Sequence, residues 1–585
     1  MTFLPKLNFL AFAGLLLCLA NINSSSYNYP TNDFISPLPE GTPLILAGTF
    51  GELRSNHFHG GIDLKTAGKT GMKLCAIADG YVSRIKVSSY GYGRVLYVSH
   101  PNGYTAVYAH LDKYSDRIEK FISQIQKEKE SWAIEVYPGK NELKVEQGEI
   151  VAISGNTGAS RAPHLHFEIR ETKTQIPIDP LLFGYRIKDE IHPRIYKFQV
   201  HPYGPKSAAR VVYTNGRSST KTSGTIVTRV SGKNSAYRLY PVKEVQGYGD
   251  VGFSISCNDF HTGSFNKLGV PIIEVYVDGK LYFKQDIEKV PFSKTRYLNA
   301  LIDFNAKQRQ GRYYYRNHQI PGNRLGIYPT TTNRGFLNFN DDSLHHVKYV
   351  LKDRNDNETT LEFDYRGLKE YSFSSISSSK DSDLHIEHDK KAHFETPDIQ
   401  LDFPAKCFYE DFDLDYNLGS RSSKGWSHVH SVHDGYTPIH RFFTIAIKTD
   451  KIPERLQDKA LITRYGRSIG GYYKDGYVVS RSKYFGKFYV DVDTINPSIS
   501  LYNVYQGKNM ARYSTIMVRI GDNLSGVAGY KTFIDGKYVI ASYDYKSGLV
   551  KHVFEKSLAP GEHTMEIVVT DKVGNKAQKT VKFRR

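Results

Sequence analysis

Three histidine-bearing segments in the first third of the chain carry the residue types that metal chemistry needs. They are His57-Phe-His-Gly-Gly-Ile-Asp63, Tyr108-Ala-His-Leu111 and His164-Leu-His166. In the first segment, the glycine pair lets the chain bend so that His59 and Asp63, four residues apart, converge. In the third, His164 and His166 are two residues apart, so in a strand they project from the same face.

Two histidines and one aspartate with an open fourth position are typical of a catalytic zinc site. Zinc there lowers the pKa of its bound water toward neutrality and polarises a carbonyl. Two further histidines near that water can act as general base and as donor to the developing oxyanion. Each short motif alone arises often by chance, so the prediction depends on their combination. His57 is an alternative ligand, although the spacing to Asp63 favours His59.

The elements that must position these side chains are short antiparallel strands separated by glycine-containing turns. Alternating apolar runs predict strands at 73–80, 81–87, 94–99 and 104–110. An insertion at about 112–144 follows His110, and within it 116–132 has helical spacing of Ile118, Phe121, Ile122 and Ile125. We expect this helix to rim or cover the groove, where it narrows substrate choice or autoinhibits. A surface helix without such a role is the open alternative.

The glycine-rich segments and the histidines follow one another in a specific order. The segments are His59-Gly-Gly-Ile-Asp63, Ala78-Asp-Gly-Tyr-Val82, Gly91-Tyr-Gly93, Tyr108-Ala-His-Leu111, Gly155-Asn-Thr-Gly158 and His164-Leu-His-Phe-Glu168. Together they resemble the catalytic domain of the lysostaphin-type zinc endopeptidases over residues 45–184. The resemblance implies a compact antiparallel β fold, one Zn²⁺ ion in a groove, and the stem or cross-bridge peptides of peptidoglycan as substrate.

The same resemblance implies a role for each candidate site residue. By motif position, His59, Asp63 and His166 bind zinc, and His110 and His164 are the catalytic histidines that do not bind it. All five positions are retained, so we predict a working zinc metallo-endopeptidase. The zinc endopeptidase domain is expected at 35–188.

From Pro193 onward, short β-branched and aromatic runs between Gly, Asn and Asp turns predict β-sandwich modules. A weak internal repeat supports them. Asp259-Phe-His-Thr-Gly263 matches Asp522-Asn-Leu-Ser-Gly526, and the turn from Asp353 to Asn357 matches the turn from Asp571 to Asn575. The predicted fold class is therefore all-β. Behind the catalytic domain and its helical insertion come three modules: an Ig-like sandwich with insertions at 190–370, a β-rich module at 384–492 after a Ser-rich linker (372–383), and an Ig-like sandwich at 493–585.

The N-terminus predicts export. Residues 1–20 have a basic start, an apolar core and small residues at the end, as in a signal peptide, and no later segment is long and apolar enough to span a membrane. Lipid anchoring at Cys18 is the lesser alternative, because Leu17 occupies the position where a lipobox has Gly or Ala. We therefore expect the periplasm or the outer cell surface.

The composition limits the partners and the redox chemistry. A formal net charge of +18 favours an anionic partner, and export disfavours nucleic acid. Carboxylate-bearing peptidoglycan is the expected partner, with other envelope proteins possible partners of the β modules. Cys75, Cys257 and Cys407 are scattered and odd in number, so we expect buried thiols and no disulfide framework.

A second histidine cluster has no glycine-rich partner loop. It comprises His428, His430, His433 and His440, and ordinary alternation in a strand and loop explains it more simply than a metal site. The leading hypothesis is a zinc endopeptidase that cleaves peptidoglycan peptides in cell-wall remodelling. Two alternatives stay open: a non-catalytic wall-binding scaffold or activator of another wall hydrolase, and a secreted protease acting on proteins.

Overall fold

A computed structural model describes residues 28–185, 187–372 and 384–585. The predicted signal peptide with Cys18, and positions 373–383 of the Ser-rich linker, lie outside these residues. Strands make up 46% of the structure and helices 8%, which confirms the all-β prediction. The α-helices are Asp116–Glu128, Leu298–Leu301, Phe304–Gln310 and Glu454–Gln457, and the 3-10 turns are Pro180–Phe183, Phe292–Tyr297 and Asn333–Gly335. Within the described ranges, no helix has the length and apolarity needed to cross a bilayer.

The N-terminal domain contains a nine-stranded and a three-stranded sheet, each built from antiparallel pairs. The main path of the large sheet runs, in spatial order, through Leu46–Gly48, Ile62–Lys65, His164–Glu171, Tyr104–Ala109, Arg94–Ser99, Gly80–Val87 and Ile134–Val136, with Pro177–Ile178 and Lys144–Val145 paired beside it. The small sheet consists of Lys73–Cys75, Ile150–Ile153 and Lys113–Tyr114. The strands at 94–99 and 104–109 lie where alternation predicts them. The run at 73–80 is shorter, because its strand ends at Cys75.

Along the strand His164–Glu171, apolar side chains face the hydrophobic core and polar side chains face the candidate site. Leu165, Phe167 and Ile169 are buried in the hydrophobic core of the domain. His164, His166, Glu168 and Arg170 occupy the intervening positions and therefore project from the opposite face. The core thus anchors the strand that carries two of the candidate site residues.

The insertion forms a helix that is part of the domain core. Ile118 and Ile122 are fully buried there, and the exposed side of the helix carries its charges. The helix ends at Glu128, four residues before the predicted end. Its last turn and the loop after it contact the C-terminal module, through Lys127 Nζ to Glu555 Oε1 at 2.8 Å and Lys531 Nζ to Glu130 Oε2 at 2.7 Å. The helix therefore connects the first and last parts of the chain.

The next module forms a single hydrogen-bonded sheet of thirteen strands. These are Arg194–Pro202, Ala208–Tyr213, Ser218–Lys221, Ile226–Lys233, Ala236–Tyr240, Val242–Tyr248, Val251–Asn258, Ile272–Val277, Lys280–Asp286, Tyr315–Arg316, Thr330–Thr331, Leu344–Lys352 and Glu358–Gly367. Its hydrophobic core includes Phe50, Leu53 and Phe58, which precede the first candidate ligand. The N-terminal domain and this module therefore share a core.

The last two modules are each built from paired sheets. In the first, two five-stranded sheets and a strand pair comprise Leu384–Ile386, Ala392–Thr396, Ile399–Phe403, Phe412–Leu414, Tyr416–Arg421, His428–Val432, Phe443–Lys448, Ala460–Arg464, Arg467–Ser468, Tyr472–Lys474, Tyr477–Ser482 and Gly486–Val492. In the second, a four-stranded and a five-stranded sheet comprise Ser498–Leu501, Lys508–Asn509, Thr515–Gly521, Val527–Ile534, Lys537–Tyr538, Ala541–Asp544, Leu549–Val553, Glu562–Asp571 and Lys576–Arg584.

Each of these two modules has a separate core, and the described cysteines do not cross-link them. Cys257 and Cys407 are buried free thiols, as expected, whereas Cys75 is free but only half-buried. Its strand, Lys73–Cys75, belongs to the small sheet, and its partner residue there is Ile150, which is itself exposed.

Candidate metal centre

Strand register brings the candidate site residues together from three neighbouring strands. His166 lies directly opposite Asp63 on one side and opposite Ala109 on the other. His110 follows Ala109 at the strand end, where a φ of 61° turns its backbone out of the extended conformation. His59 comes from the glycine turn immediately before Asp63. The sheet therefore gathers residues that are up to 107 positions apart.

Three donor atoms converge at the centre of this arrangement. Asp63 Oδ1 lies 2.9 Å from His59 Nε2 and 3.0 Å from His166 Nδ1, and the two nitrogens are 2.9 Å apart. All three side chains are buried. In a tetrahedral zinc site with bonds of roughly 2.0–2.1 Å, neighbouring ligand atoms are about 3.3 Å apart. The observed triangle is a few tenths of an ångström tighter than that arrangement.

The outer ring nitrogens of the two histidines define their tautomers. His59 Nδ1–H donates to the Thr49 carbonyl oxygen at 2.7 Å, and His166 Nε2–H donates to Glu168 Oε1 at 2.8 Å. The inner nitrogens then present lone pairs toward each other and toward a carboxylate oxygen, an arrangement that a cation stabilises. Two imidazole nitrogens and one carboxylate oxygen are also the donor chemistry of catalytic zinc. The residues present therefore fit Zn²⁺.

A buried polar chain supports His166 from behind. Glu168 Oε2 accepts from Arg170 Nε–H at 2.6 Å, and Tyr92 donates its hydroxyl hydrogen to Glu168 Oε1. The sequence analysis placed Glu168 in a motif but predicted no role for it, and it did not predict a role for Arg170. Both follow from alternation, because His164, His166, Glu168 and Arg170 are successive residues of one strand face.

Arg54 is a further contact that sequence reasoning missed. Its Nη2 lies 2.8 Å from Asp63 Oδ2, the carboxylate oxygen that does not face the histidines. Arg54 belongs to the loop before the glycine turn, and no spacing rule links it to the site. Its position fixes the carboxylate so that one oxygen points at the donor triangle.

Burial and the mutual contacts of these groups shift their pKa values. Burial opposes ionisation of Asp63, but the adjacent rings of His59, His164 and His166 hold the pKa of that carboxyl well below its usual range. Burial lowers the pKa of His59. For His166, burial acts in the same direction, yet the hydrogen bonds to Asp63 and Glu168 raise its pKa to about 9.

The two remaining candidate histidines lie beside the triangle, and each donates its Nδ1–H to a backbone carbonyl. His110 Nδ1–H donates to the Thr157 carbonyl at 2.9 Å, and His164 Nδ1–H donates to the Ala162 carbonyl at 2.8 Å. Their rings are 4.9 Å apart between centroids, and His164 Nε2 is 3.4 Å from Asp63 Oδ1. Burial lowers the pKa of His110 to about 3, so its ring is neutral at physiological pH.

The other histidines considered from sequence lie elsewhere. His57 is exposed and pairs with Asn56 Oδ1 at 2.7 Å, outside the donor triangle. In the second cluster, His430 pairs with the Tyr416 hydroxyl at 2.9 Å. The others, with their partners, are His428 with the Gly419 carbonyl, His433 with Thr437 and His440 with Tyr409. Over the described ranges, these four histidines form no common ligand set.

The C-terminal module contributes to the rim of the site. Tyr545 packs on Tyr90 with ring centroids 4.5 Å apart, and Lys546 Nζ donates to the carbonyls of Asn156 and Ser160 at 2.8 and 2.9 Å. The 155–160 loop also supplies Thr157, the partner of His110. A hairpin near the end of the chain therefore holds the loop that orients a candidate catalytic histidine.

Comparison with known proteins identifies the N-terminal domain. Residues 57–127 and 134–180 match the model of Peptidase family M23, and residues 383–493 match a Zu5-like domain. An uncharacterized metalloprotease of Haemophilus influenzae is 33% identical over 110 residues, 19% of this chain and 18% of that protein. The DD-carboxypeptidase/endopeptidase Mpg of Neisseria meningitidis is 31% identical over 118 residues, 20% and 21% of the two chains.

The chain thus spans about a fifth of the length of these curated relatives. Among solved structures, the catalytic domain of the antimicrobial peptidase lysostaphin from Staphylococcus simulans is 24% identical. The match covers 24% of this chain and 92% of that one, with a TM-score of 0.18. The chain carries a Peptidase M23 domain, as the sequence resemblance implies.

Proposed function

We propose that this chain is a zinc-dependent endopeptidase, built on its M23 domain, that hydrolyses the stem or cross-link peptides of peptidoglycan. The observation that carries the proposal is the convergence of His59 Nε2, Asp63 Oδ1 and His166 Nδ1 within 3.0 Å, next to the adjacent rings of His110 and His164. We assign zinc binding to the first three residues and proton transfer to His110 and His164.

The proposed roles follow from the protonation of each ring. When bound, zinc supplies a water of near-neutral pKa and polarises the scissile carbonyl. His164 and His110 both hold their proton at Nδ1, so each Nε2 is ready to accept one. The protonated Nε2–H can then donate to the oxyanion or to the leaving amine. Arg54, Glu168 and Arg170 hold the ligands in place.

A basic cavity beside the domain supports an anionic polymer as substrate. It has a volume of about 820 Å³ and lies between the 190–370 module and the 384–492 module. Its cationic lining residues are Arg296, Lys391, Arg441, Arg481 and Lys483, and Asp402 is its acidic one. Phe292 forms part of its wall and packs under Arg170, with the guanidinium 4.6 Å from the ring centroid. Carboxylates of a peptidoglycan chain that enters the catalytic site can be held by this cavity.

The location proposed for this activity is the periplasm or the outer cell surface, with the β modules as spacers or as binding arms for the wall and for other envelope proteins. The predicted signal peptide supports this assignment. Lipid anchoring at Cys18 remains the lesser alternative.

Muropeptide analysis tests the function. Purified zinc-loaded protein is incubated with isolated peptidoglycan, and the released fragments are identified by mass spectrometry. We expect cleaved peptides from the wild type, and none from His166→Ala or after chelation. His57→Ala is the matched control, because this neighbouring histidine lies outside the donor triangle and the variant should retain activity.

Three results would contradict the proposal or parts of it. Unchanged release by His166→Ala would refute the ligand assignment. If the zinc-loaded wild type releases no peptides although it binds peptidoglycan, the scaffold hypothesis replaces the enzyme. Cleavage of unfolded proteins, with peptidoglycan left intact, would instead support the secreted protease.

A further inference from the structure

Two clusters of three aspartates lie outside the candidate zinc centre, one in each Ig-like repeat. The first comprises Asp189, Asp259 and Asp353, and the second comprises Asp493, Asp522 and Asp571. In each cluster, one carboxylate oxygen per residue lies within 4.8 Å of the other two. From this geometry we infer that each cluster is a Ca²⁺ site at the junction between its repeat and the preceding module.

The two clusters occupy equivalent positions of the internal repeat. Asp259 and Asp522 open the matched Asp-x-x-x-Gly segments, and Asp353 and Asp571 open the matched turns. Asp189 and Asp493 also correspond, because each begins an Asp-x-Ile-x-Pro segment that leads into the first strand of its repeat. Three carboxylates therefore recur together in two copies whose sequences otherwise differ widely.

The hydrogen bonds around the clusters match as well. Asp353 accepts from the Asn357 backbone at 2.9 Å and from its side-chain amide at 2.7 Å. Asp571 accepts from the Asn575 backbone at 2.8 Å and from its side-chain amide at 2.7 Å. The same turn thus presents the same carboxylate in both repeats.

One buried carboxylate in the first cluster points directly to a missing cation. Asp259 is only 3% exposed, and within the described part of the chain its Oδ1 has no hydrogen-bond partner. The equivalent Oδ1 of Asp522 is likewise a buried atom without a described partner. A buried carboxylate oxygen with no partner is strongly unfavourable unless a cation or a proton neutralises the group. The same unsatisfied oxygen at equivalent positions indicates a shared ligand.

The space at the first cluster fits a single ion. A cavity of about 20 Å³ is lined by all three aspartates, and a cavity of this size holds one water-sized occupant. An all-oxygen donor set favours a hard cation, and Ca²⁺ binds oxygens at roughly 2.3–2.6 Å, so ligands on opposite sides of the ion are about 5 Å apart. The spacing of the carboxylates is compatible with that requirement. We therefore assign Ca²⁺.

Both clusters also lie against the module that precedes them. Thr49 and Phe50 of the catalytic domain line the first cavity. At the second cluster, Lys459 of the preceding module donates to the side-chain oxygen of Asn575, whose amide holds Asp571. A bound Ca²⁺ ion would therefore fix the orientation of each Ig-like repeat relative to its neighbour.

Calcium titration of the full-length protein tests this inference. After removal of divalent ions with a chelator and reloading with zinc, calorimetry with CaCl₂ should report two ions per chain. Asp259→Asn and Asp522→Asn should each remove one ion, and the double variant should bind none. Asp278→Asn and Asp535→Asn are matched controls, since these equivalent aspartates pair with His345 and His563 at 2.7 Å at the other end of each repeat.

A second measurement on the wild type does not depend on the folding of any variant. Its unfolding temperature should rise with Ca²⁺ concentration. The inference would be overturned by fewer than two bound ions, by an unfolding temperature that does not change with Ca²⁺ concentration, or by equal binding of Mg²⁺ from MgCl₂. Two ions in the double variant would overturn the assignment to these aspartates.

Discussion

Replacing Glu168 with glutamine weakens the support of the proposed zinc ligand His166 and leaves His166 itself unchanged. Glu168 is fully buried between His166 Nε2, at 2.8 Å, and Arg170 Nε, at 2.6 Å. Glutamine keeps the size of the side chain and one acceptor oxygen but removes the negative charge. Arg170, also buried, then loses its counter-charge, and His166 loses the carboxylate that raises its basicity.

Two independent arguments give the size of the expected loss of folding stability. Burial opposes ionisation of Glu168, but Arg170 and His166 lower its pKa from 4.5 to about 2. This difference corresponds to about 3 kcal/mol of stability in the metal-free protein at neutral pH. Removing one partner of a buried ion pair costs roughly 3–5 kcal/mol. Because the folded pKa is depressed, the contribution is present above about pH 4.5 and is lost as the pH falls toward 2.

The substitution should also change metal affinity. Removal of a residue that supports a metal ligand weakens metal binding by roughly 10–100-fold.

Two assays read these effects. Competition with a chromogenic chelator gives the zinc dissociation constant, and urea unfolding of the chelated protein gives the stability at several pH values. Glu171→Gln is the matched control, because Glu171 is exposed on the same strand and should change neither quantity. If Glu168→Gln has wild-type zinc affinity and an unchanged urea midpoint, then the polar chain does not support His166 and the reasoning fails.

Three further predictions concern the rest of the molecule. Burial lowers the pKa of His430 to about 4, so the 384–492 module should lose about 2–3 kcal/mol as the pH falls from 6.5 to 4, and His430→Leu should flatten this pH dependence in urea unfolding. Lys546→Ala should raise amide hydrogen exchange in the 155–160 loop about tenfold, and unchanged exchange would show that the hairpin contact is dispensable. Phe198→Ala should destabilise the 190–370 module by about 3–5 kcal/mol in thermal unfolding, because Phe198 is fully buried against Phe253; a loss below 1 kcal/mol would contradict that packing.

Local patterns in the sequence predict the residues at the centre of the site. The Gly pair after His59 and the two-residue spacing of His164 and His166 are short-range features, and they bring these side chains to one face in the structure. Arg54 and Lys546 are different, because their contacts depend on how separate parts of the chain pack. Neither alternation nor spacing encodes such contacts, so they were not predicted.

For the insertion too, one part of the prediction agrees with the structure and another part does not. Helical spacing predicts the helix, and Ile118 and Ile122 do form its buried face. The predicted extension to Trp132 is wrong, because the chain reverses at Glu130 with a φ of 43° and Gln126 donates to the Trp132 carbonyl. The helix packs into the domain core, and its far end contacts the last module. Whether it also limits access to the groove stays a prediction.

The contact between Lys546 and the 155–160 loop also has a consequence for the order of synthesis. Nearly 390 residues separate the two partners, and a ribosome produces the loop long before the hairpin that holds it. The nascent M23 domain can fold while the loop beside His110 still lacks its outer support. The rim is complete only after the final module has been made and has folded. A chain interrupted before residue 546 therefore carries all five candidate site residues, but its 155–160 loop lacks the contact with Lys546.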